Sequence, residues 1–593
     1  MQNDQHPIDD FFGLKQDSSP EIKKEPLKHI FRRSSFFDQI RLLPKVLSKK
    51  ERYWILTFIL VIAGSILSIP FSTYSHFTNP SPDFGGLFSE GVLGQPRRVN
   101  PLLSQSNDAD RDLATLVYSG LLRHNEEGKL VPDLAKSYEI SSDGLNYTIY
   151  LRDNVLWHDG QKLTTDDIVY TIETAQNVDY GSSQRVSWQG VTIQKVNDTT
   201  IIFKLNNKYA QFLNNLTLGI IPKHVWEKVQ PINFSSSEYN LKPIGSGPYM
   251  FEKLQKDSTG QIQSYQLKSN ENYYAGKPYI DTVIMKFYDS EGTMIDAYNR
   301  NDIQELSMVS PQNLSKIKFK QRLNIKEIKM PRYYGVFFNQ TTSAVLADKN
   351  IRLAINYATN KKAIVDEVIS GKGTIIYSPL IETVLDVNQD IPKYQFDIDQ
   401  AKKVLLASGW TGTDNKGILK KKDSRLTVKI TTSTLPEFSQ VANILKEQWG
   451  KAGIEVTIEA LNTPQLQQAI RDRNYEALLF GEILDLDPDP FTLWDSSQKQ
   501  KLGLNLALYD NATADNLLQD ARQSLNPLDR AKKYDDFQKI VINDVPAVFL
   551  YNPLYLYPQS TNIRGANTSI IAAPSDRLLN IENWYIDTKR IWK

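Results

Sequence analysis

The sequence predicts an α/β protein with a covered sheet that contains a parallel β-α-β-α-β unit, preceded by a single membrane-spanning helix. Three observations predict this class: strand and helix patterns alternate along most of the chain, one run of nineteen residues carries no charge, and 40% of the 593 residues are apolar. A chain of this length holds two to four domains of about 150 residues each. Its composition is that of an ordinary globular protein with large cores.

The composition also argues against several classes of function. The formal net charge is +1, whereas a nucleic-acid partner requires a strongly basic face, so we expect no nucleic-acid binding. Cysteine is absent, which excludes disulfides, thiolate catalysis and a lipid anchor on cysteine. The six histidines show no paired spacing, so we expect neither a metal site nor a cofactor.

Residues 53–71 predict a transmembrane anchor. The run YWILTFILVIAGSILSIPF is uncharged, and a bilayer core needs roughly 20 apolar residues of helix. Five basic residues and one acid precede it in RLLPKVLSKKER, and no Lys or Arg follows until Arg97. The positive-inside rule therefore predicts a cytoplasmic tail at 1–52 and an extracellular or periplasmic remainder. Pro and Gly in FTNPSPDFGG indicate a linker at 72–83. A cleaved signal peptide is the alternative; the long leading segment and the lack of an A-x-A site argue against it.

The clearest topology lies at residues 426–480. LTVKITT, IEVTIEAL and YEALLF have strand patterns, and PEFSQVANILKEQWGKAG and TPQLQQAIRDRN between them have helix patterns. Strands joined by crossovers of this length are parallel, so we predict a β-α-β-α-β unit with a covered sheet. Ligands bind such sheets beyond the carboxyl ends of the strands, which is where the loop GEILDLDPDPF follows YEALLF.

The stretch LRDNVLWHDGQKLTTDDIVY, residues 151–170, collects one His and three Asp within ten residues. Metal ligation would need further ligands at suitable spacing. Instead, HDG is typical of a tight turn, and Thr164 with Asp167 predicts a capping box at a helix start. We therefore interpret His158 and its neighbours as structural.

The same stretch belongs to a wider resemblance. Residues 120–173 resemble the signature of the family 5 extracellular solute-binding proteins, the peptide- and nickel-binding receptors of ABC importers. Further similar segments are FSEGVLGQPRRVNPLLSQSNDADRDLATLVYSGLL, PIGSGPYMF, NENYYAGKPYID, VFFNQTTSAVLADKNIRLAINYATNK, AKKVLLASGW, LYDNATADNLLQDA and DRAKKYDDFQKIVINDVPAVFLY. The resemblance covers residues 84–593. Because many motifs occur in the order typical of the family, the match is specific to it.

The resemblance implies a two-lobed, periplasmic-binding-protein-like (type II) fold with an extra β-rich subdomain. Lobe I would comprise residues 84–117, 236–335 and 553–593, with the subdomain at 118–235, and lobe II would comprise 336–552. Two crossing strands would lie near PRYYGVFFN and VFLYNPLY. Closure about such a hinge is a known mode of ligand capture.

The function implied is a membrane-anchored receptor that captures oligopeptides in the interlobe cleft and delivers them, as a monomer, to an ABC permease. The same fold binding a sugar or another solute, and a ligand sensor without transport, remain alternatives. An enzyme is disfavoured because no G-x-S-x-G, H-E-x-x-H or phosphate loop occurs.

The resemblance also implies site residues. In peptide-binding relatives, an Asp in the loop after the strand matching YEALLF pairs with the ligand's terminal amine, and the matching position is Asp485. The family commonly has Gly-Trp at the start of this loop, whereas this chain has Gly481-Glu482, so Asp487 stays an alternative. A third possibility is that these carboxylates only shape a proline-rich turn. The other predicted lining residues, each with an alternative role in packing, are Asn100, Tyr334, Asn339, Phe480, Gly481 and Tyr551.

Overall fold

A computed structural model describes residues 47–381, 385–388 and 390–592, without the side chains of residues 67, 69–71 and 75. Most of the predicted cytoplasmic tail, residues 1–46, lies outside the described residues. The chain divides into two compact units, residues 1–80 with 590–593 and residues 81–589.

Helices and strands alternate along the described chain, as the sequence predicts. The helices are α1 Lys49–Phe77, α2 Asp108–Val117, α3 Thr165–Gln176, α4 Arg185–Trp188, α5 Phe212–Asn215, α6 Lys223–Trp226, α7 Pro231–Phe234, α8 Glu291–Asn299, α9 Ala344–Ala347, α10 Lys349–Tyr357, α11 Lys361–Ile369, α12 Ile398–Ala407, α13 Pro436–Lys451, α14 Thr463–Asp472, α15 Phe491–Trp494, α16 Ala512–Gln523 and α17 Pro527–Asp544. The strands are β1 Thr78–Pro82, β2 Leu87–Leu93, β3 Leu122–His124, β4 Leu130–Pro132, β5 Ala135–Ile140, β6 Asn146–Leu151, β7 Val191–Asn197, β8 Thr200–Leu205, β9 Tyr249–Lys256, β10 Ile262–Ser269, β11 Thr282–Tyr288, β12 Glu305–Leu306, β13 Leu323–Ile328, β14 Arg332–Phe338, β15 Gly373–Ile375, β16 Gly412–Thr413, β17 Leu419–Lys421, β18 Ser424–Arg425, β19 Thr427–Ser433, β20 Glu455–Leu461, β21 Ala477–Ile483, β22 Ala547–Pro553, β23 Tyr555–Ser560 and β24 Thr588–Trp592.

The smaller unit is built around α1, a helix of 29 residues that contains the predicted anchor 53–71. A capping box starts the helix: the Ser48 hydroxyl accepts from the Glu51 backbone N–H, and the Glu51 carboxylate accepts from the Ser48 N–H at 2.8 Å. Apolar side chains such as Trp54 and Phe58 are 66% and 62% exposed. Within the described residues, no helix combines the length and apolarity that crossing a bilayer requires, so the predicted transmembrane helix is not confirmed.

The first part of the larger unit contains two sheets. One has strand order β12-β2-β11-β10-β9, with β2 parallel to β11 and β12 and with β10 antiparallel to both of its neighbours. The other is the antiparallel sheet β5-β6-β8-β7, whose last hairpin the sequence predicts from VTIQKV and TIIFKL. Side chains of both sheets belong to one continuous core that includes Phe88, Tyr147, Trp226 and Tyr265.

The second part is built on the six-stranded sheet β15-β22-β14-β21-β19-β20. Its β19-α13-β20-α14-β21 segment confirms the predicted β-α-β-α-β unit, because β19 pairs in parallel with both β20 and β21. Adjacent side chains alternate between two cores, with Leu479 and Val548 in one and Leu478 and Phe549 in the other. A sheet covered on both faces produces this alternation of apolar residues.

Two short connections join these parts. Residues 329–331 lead from β13 into β14, and Leu554 leads from β22 into β23. The Asn552 side chain bridges the first connection by donating to the carbonyl oxygens of Met330, at 3.0 Å, and Arg332, at 2.6 Å. The first connection reaches the start of the predicted crossing segment PRYYGVFFN, and the second lies within VFLYNPLY. The lobe boundaries themselves stay a prediction.

The turn before α3 confirms the structural interpretation of His158. Its Nδ1 accepts from the Gly245 N–H at 3.1 Å, and its Nε2 lies 3.0 Å from the Gly247 carbonyl oxygen. Burial lowers the pKa of His158 to about 4, so the ring is neutral at pH 7. Thr164 and Asp167 form the predicted capping box.

Candidate functional site

The end of β21 differs from the sequence prediction. The strand runs to Ile483, so Phe480 and Gly481 lie inside it, opposite Gly335 and Tyr334 of β14, rather than at its end and in the following loop. Glu482, where the family commonly has Trp, points into the core, where its carboxylate accepts from the Tyr333 hydroxyl. The antiparallel pairing with β14 extends the strand beyond YEALLF, which sequence periodicity alone does not reveal.

The loop after β21 carries the predicted aspartates. Leu484 and Leu486 are 3% and 2% exposed, and the Leu484 N–H donates to the Pro331 carbonyl oxygen at 2.6 Å. Asp485, between the two buried leucines, is exposed. The buried leucines therefore hold the loop in place and turn the Asp485 side chain outward.

Partners distinguish the three aspartates. Both Asp487 oxygens accept from Arg530 Nη2 at 2.8 Å, and Asp489 Oδ2 accepts from Arg522 Nε at 2.9 Å. No hydrogen bond or ion pair reaches the Asp485 carboxylate from any residue that the structure describes. Although the Asp485 side chain is open to solvent, partial desolvation by the protein around it, followed by the charge of Asp489, raises the pKa of Asp485, so a positive partner there would stabilise the ionised form.

Asp485 and Leu486 line a cavity of about 430 Å³. The other lining residues come from the stretches 101–133, 184–187, 214–219, 248–273 and 572–582. A residue of the second part thus faces a space enclosed mainly by the first part and the C-terminal segment. Cavities of this size at such junctions are common small-molecule sites.

Charged groups line this cavity. Arg123 Nη1 donates to Glu582 Oε1 at 2.7 Å, and its Nε lies 3.7 Å from Asp133 Oδ1. Burial raises the pKa of Asp133 to about 6 although Arg123 opposes the shift. Burial lowers the pKa of His124 in spite of the neighbouring Asp576 charge. The cavity is therefore polar and predominantly acidic.

A group of aromatic side chains lies at the carboxyl edge of the six-stranded sheet. The Tyr334 ring centroid is 5.3 Å from that of Tyr551 and 5.1 Å from that of Phe438, and Phe438 stacks on Phe480 at 6.5 Å. A Cβ on Gly481 would lie 2.5 Å from the Tyr334 ring, which explains the glycine. The structure thus brings four predicted residues together, although none of them lines the 430 Å³ cavity.

The two predicted asparagines have structural surroundings. Asn100 is fully buried, its Oδ1 accepts from the Leu102 N–H at 3.0 Å, and only its neighbour Pro101 reaches the cavity. Asn339 lies at the amino end of β21, across the sheet from Asp485, where it accepts from Thr341 and donates to the Arg473 carbonyl oxygen at 3.1 Å. Neither residue lines the cavity, and each shapes a loop, although Asn100 Nδ2 has no hydrogen-bond partner among the described residues.

Sequence reasoning did not single out several lining residues. Arg123, Asp133 and Asp576 lie in segments recognised only as family motifs or not at all, and Glu582 is 459 residues from its partner Arg123. A local pattern cannot reveal a pairing of this separation. Phe438 has a weak sequence signal, since it begins the helix that follows a predicted parallel strand.

No group of three or more His, Cys, Asp or Glu side chains in the described part of the chain is arranged to hold a metal ion. The structure therefore adds no support for a metal ligand at the cavity.

Comparison with known proteins agrees with this architecture. The sequence pattern of the bacterial extracellular solute-binding proteins, family 5 Middle, matches residues 129–503, more than half of the chain. The oligopeptide-binding protein AppA of Bacillus subtilis (strain 168) is 29% identical over 516 residues, which are 85% of this chain and 92% of that protein.

Solved structures give the same result. The structure of AppA from Bacillus subtilis in complex with a nonapeptide has a TM-score of 0.69 at 28% identity, covering 86% of this chain and 100% of that one. NikZ from Campylobacter jejuni in complex with Ni(L-His) has a TM-score of 0.71 at 28% identity, covering 85% of this chain and 99% of that one. The chain belongs to family 5 of the bacterial extracellular solute-binding proteins.

Proposed function

We propose that the chain is an extracellular receptor that binds oligopeptides in the 430 Å³ cavity and delivers them to an ABC permease. The observation that carries this proposal is Asp485, an unpaired carboxylate at the carboxyl end of a parallel strand that faces the cavity. A peptide's terminal ammonium is costly to desolvate without a counter-charge, and Asp485 supplies one. Asp487 is less suited because Arg530 already binds both of its oxygens.

The two parts joined at residues 329–331 and 554 are proposed as lobes I and II, with the boundaries given above. Closure about these connections would bring Asp485 against the wall formed by residues of lobe I. The relatives named here bind a nonapeptide or Ni(L-His), and the acidic, metal-cluster-free lining favours the peptide among these two. We propose that the ligand is released unaltered, without catalysis.

Tethering to the membrane is part of the proposal. Its support is the uncharged run 53–71 with basic residues on one side only, and the exposed apolar side chains of α1. An anchored receptor, acting as a monomer, would stay near its permease at high effective concentration. N-terminal sequencing of the protein from membranes separates this from cleavage: an intact start supports the anchor, and a start near residue 75 contradicts it.

Mass spectrometry of small molecules retained by the full-length protein tests the ligand class. The protein is purified without denaturant, the bound fraction is released with acid, and the Asp485→Asn variant is processed in parallel. Peptides enriched on the native protein and depleted on the variant are the expected result. A sugar or another solute, retained equally by both proteins, would overturn the peptide proposal.

A further inference from the structure

A cluster of three buried charged residues lies on the cavity wall away from the Asp485 loop. Arg123 lies between Asp133 and Glu582, and the exposed fractions of these two acidic side chains are 6% each. The cluster holds two carboxylates against one guanidinium group. All three side chains line the cavity.

Each carboxylate of this cluster has one oxygen in use and one without a donor. The Tyr274 hydroxyl donates to Asp133 Oδ1, and Arg123 Nη1 donates to Glu582 Oε1. Among the described residues, none donates to Asp133 Oδ2 or to Glu582 Oε2. Side chains that are more than nine-tenths buried normally have their hydrogen-bonding capacity satisfied, so two open acceptors on a cavity wall point to a ligand that donates.

The charge of the whole lining has the same sign. Four carboxyl groups, on Asp133, Asp485, Asp576 and Glu582, line the cavity with two guanidinium groups, on Arg111 and Arg123, so the formal charge of the lining is −2 when all four are ionised. Two charged neighbours, Asp108 and Arg152, do not change this net charge because their charges cancel. Asp108 pairs with Arg111, and Arg152 donates to the Asp133 backbone carbonyl at 2.6 Å. His124 adds no charge at pH 7, because burial lowers the pKa of its ring.

We propose that the cavity selects peptides with a net positive charge and holds a lysine or arginine side chain against Asp133 and Glu582. This inference rests on the proposed function, in which Asp485 holds the terminal amine. A zwitterionic peptide carries equal charges and leaves this formal charge of −2 uncompensated in a poorly solvated site. An ammonium or guanidinium side chain offers donors to both open oxygens, and charge-assisted hydrogen bonds are the strong ones.

Matched tripeptides test the proposal on the full-length protein in detergent. Three peptides carry one Lys among alanines, at the first, second or third position, and three controls carry norleucine there, which keeps the aliphatic chain and removes the charge. Dissociation constants come from isothermal titration calorimetry at pH 7. We expect at least one Lys peptide to bind about tenfold or more tightly than its norleucine control.

Two variants locate the effect. Glu582→Gln keeps an acceptor for Arg123 and removes the charge, so it should abolish most of the Lys advantage, measured as the ratio of the norleucine to the Lys dissociation constant. Asp133→Asn should act in the same direction. Glu271→Gln is the matched control, because that side chain is 76% exposed, and it should change neither affinity. Circular dichroism confirms that each variant is folded.

The outcomes separate the inference from the proposed function. If norleucine and Lys peptides bind equally and Asp485→Asn weakens both, the proposed function stands and the inference is wrong. A Lys advantage that survives both Glu582→Gln and Asp133→Asn also overturns the inference, since the cation then lies elsewhere. If no tripeptide binds the native protein, the proposed function fails.

Discussion

Two clusters in this molecule each contain one arginine, one aspartate and one glutamate. They differ in how many of their carboxylate oxygens accept a hydrogen bond. Arg577 bridges Glu90 and Asp112 with four hydrogen bonds between 2.5 and 3.1 Å, and the exposed fractions of the three side chains are 0–2%. Arg123 lies between Asp133 and Glu582, but each of those carboxylates keeps one oxygen without a donor. Only the second cluster lines the cavity.

In this pair, the two clusters differ in how completely their carboxylates are hydrogen-bonded and not in the kinds of charged group that they contain. The Arg577 cluster ties the C-terminal segment to β2 and α2 and has no acceptor left for a ligand. The aspartates after β21 show the same difference in pairing. Asp487 and Asp489 pair with arginines, whereas Asp485 has no such partner among the described residues.

Removing the arginine of each cluster gives the largest expected effect. Arg577→Met leaves two fully buried carboxylates without a counter-charge, so unfolding free energy should fall by about 3–5 kcal/mol. Arg123→Met should cost clearly less, because Arg123 is 24% exposed and its partners reach the cavity. Urea unfolding followed by circular dichroism measures both. Equal losses would remove the distinction between the two clusters.

The aspartates in the loop after β21 should also differ in how much they contribute to the free energy of unfolding. Asp489→Asn removes the charge that pairs with Arg522, and should lower the unfolding free energy by about 1–2 kcal/mol. Asp485→Asn should not lower it, because no described residue donates a hydrogen bond to the Asp485 carboxylate and the neighbouring Asp489 charge disfavours its ionised form. Thermal unfolding at pH 7 compares the two variants, and a loss for Asp485→Asn that matches Asp489→Asn would contradict an unpaired Asp485.

Glu482 shows that an unpaired buried oxygen also occurs away from this cavity: its Oε1 has no partner among the described residues, and Glu482 does not line the 430 Å³ cavity. Burial raises the pKa of Glu482 from 4.5 to about 8, so the folded protein holds more protons than the unfolded chain between those values. Stability should therefore fall as pH rises from about 4.5 to about 8. Relative to Glu482→Gln, the native protein should lose at least about 1 kcal/mol across this window. Parallel melting curves for both proteins would contradict a protonated Glu482.

The smallest loss of stability is expected for a helix-capping residue. Its substitution should change stability without changing peptide affinity. Thr164 accepts from the Asp166 N–H at 3.3 Å at the start of α3 and does not line the 430 Å³ cavity. Thr164→Ala should lower the unfolding free energy by about 1 kcal/mol and leave peptide affinity unchanged. Denaturant titration and calorimetry on the same preparation check both parts. A changed affinity would show that completed polar groups also influence the site.

The sequence predicts the elements better than it predicts the cavity. Apolar periodicity places β19, β20, β21 and the two helices between them, because strand and helix patterns depend on neighbouring residues. It ends β21 too early at Phe480, since the extension to Ile483 depends on pairing with β14. The resemblance locates Asp485 in the sequence. Only the structure shows that Arg530 and Arg522 pair with Asp487 and Asp489 and not with Asp485.

The residues of the cavity wall could not be predicted from the sequence. Arg123 and Glu582 meet across 459 residues, and no local spacing encodes a contact of that range. Asn100 and Asn339 were expected at the cleft because they follow strands or flank the hinge, yet both are used in shaping loops. The predicted anchor at 53–71 remains a proposal from sequence.

A calorimetric titration of native protein and Asp485→Asn with Ala-Ala-Ala and N-acetyl-Ala-Ala-Ala tests whether Asp485 holds the terminal amine of the peptide. We expect Asp485→Asn to bind the free-amine peptide about 30-fold more weakly, about 2 kcal/mol, and acetylation to weaken binding to the native protein by a similar factor but hardly to affect the variant. Equal affinities of both proteins for the free-amine peptide would contradict this role.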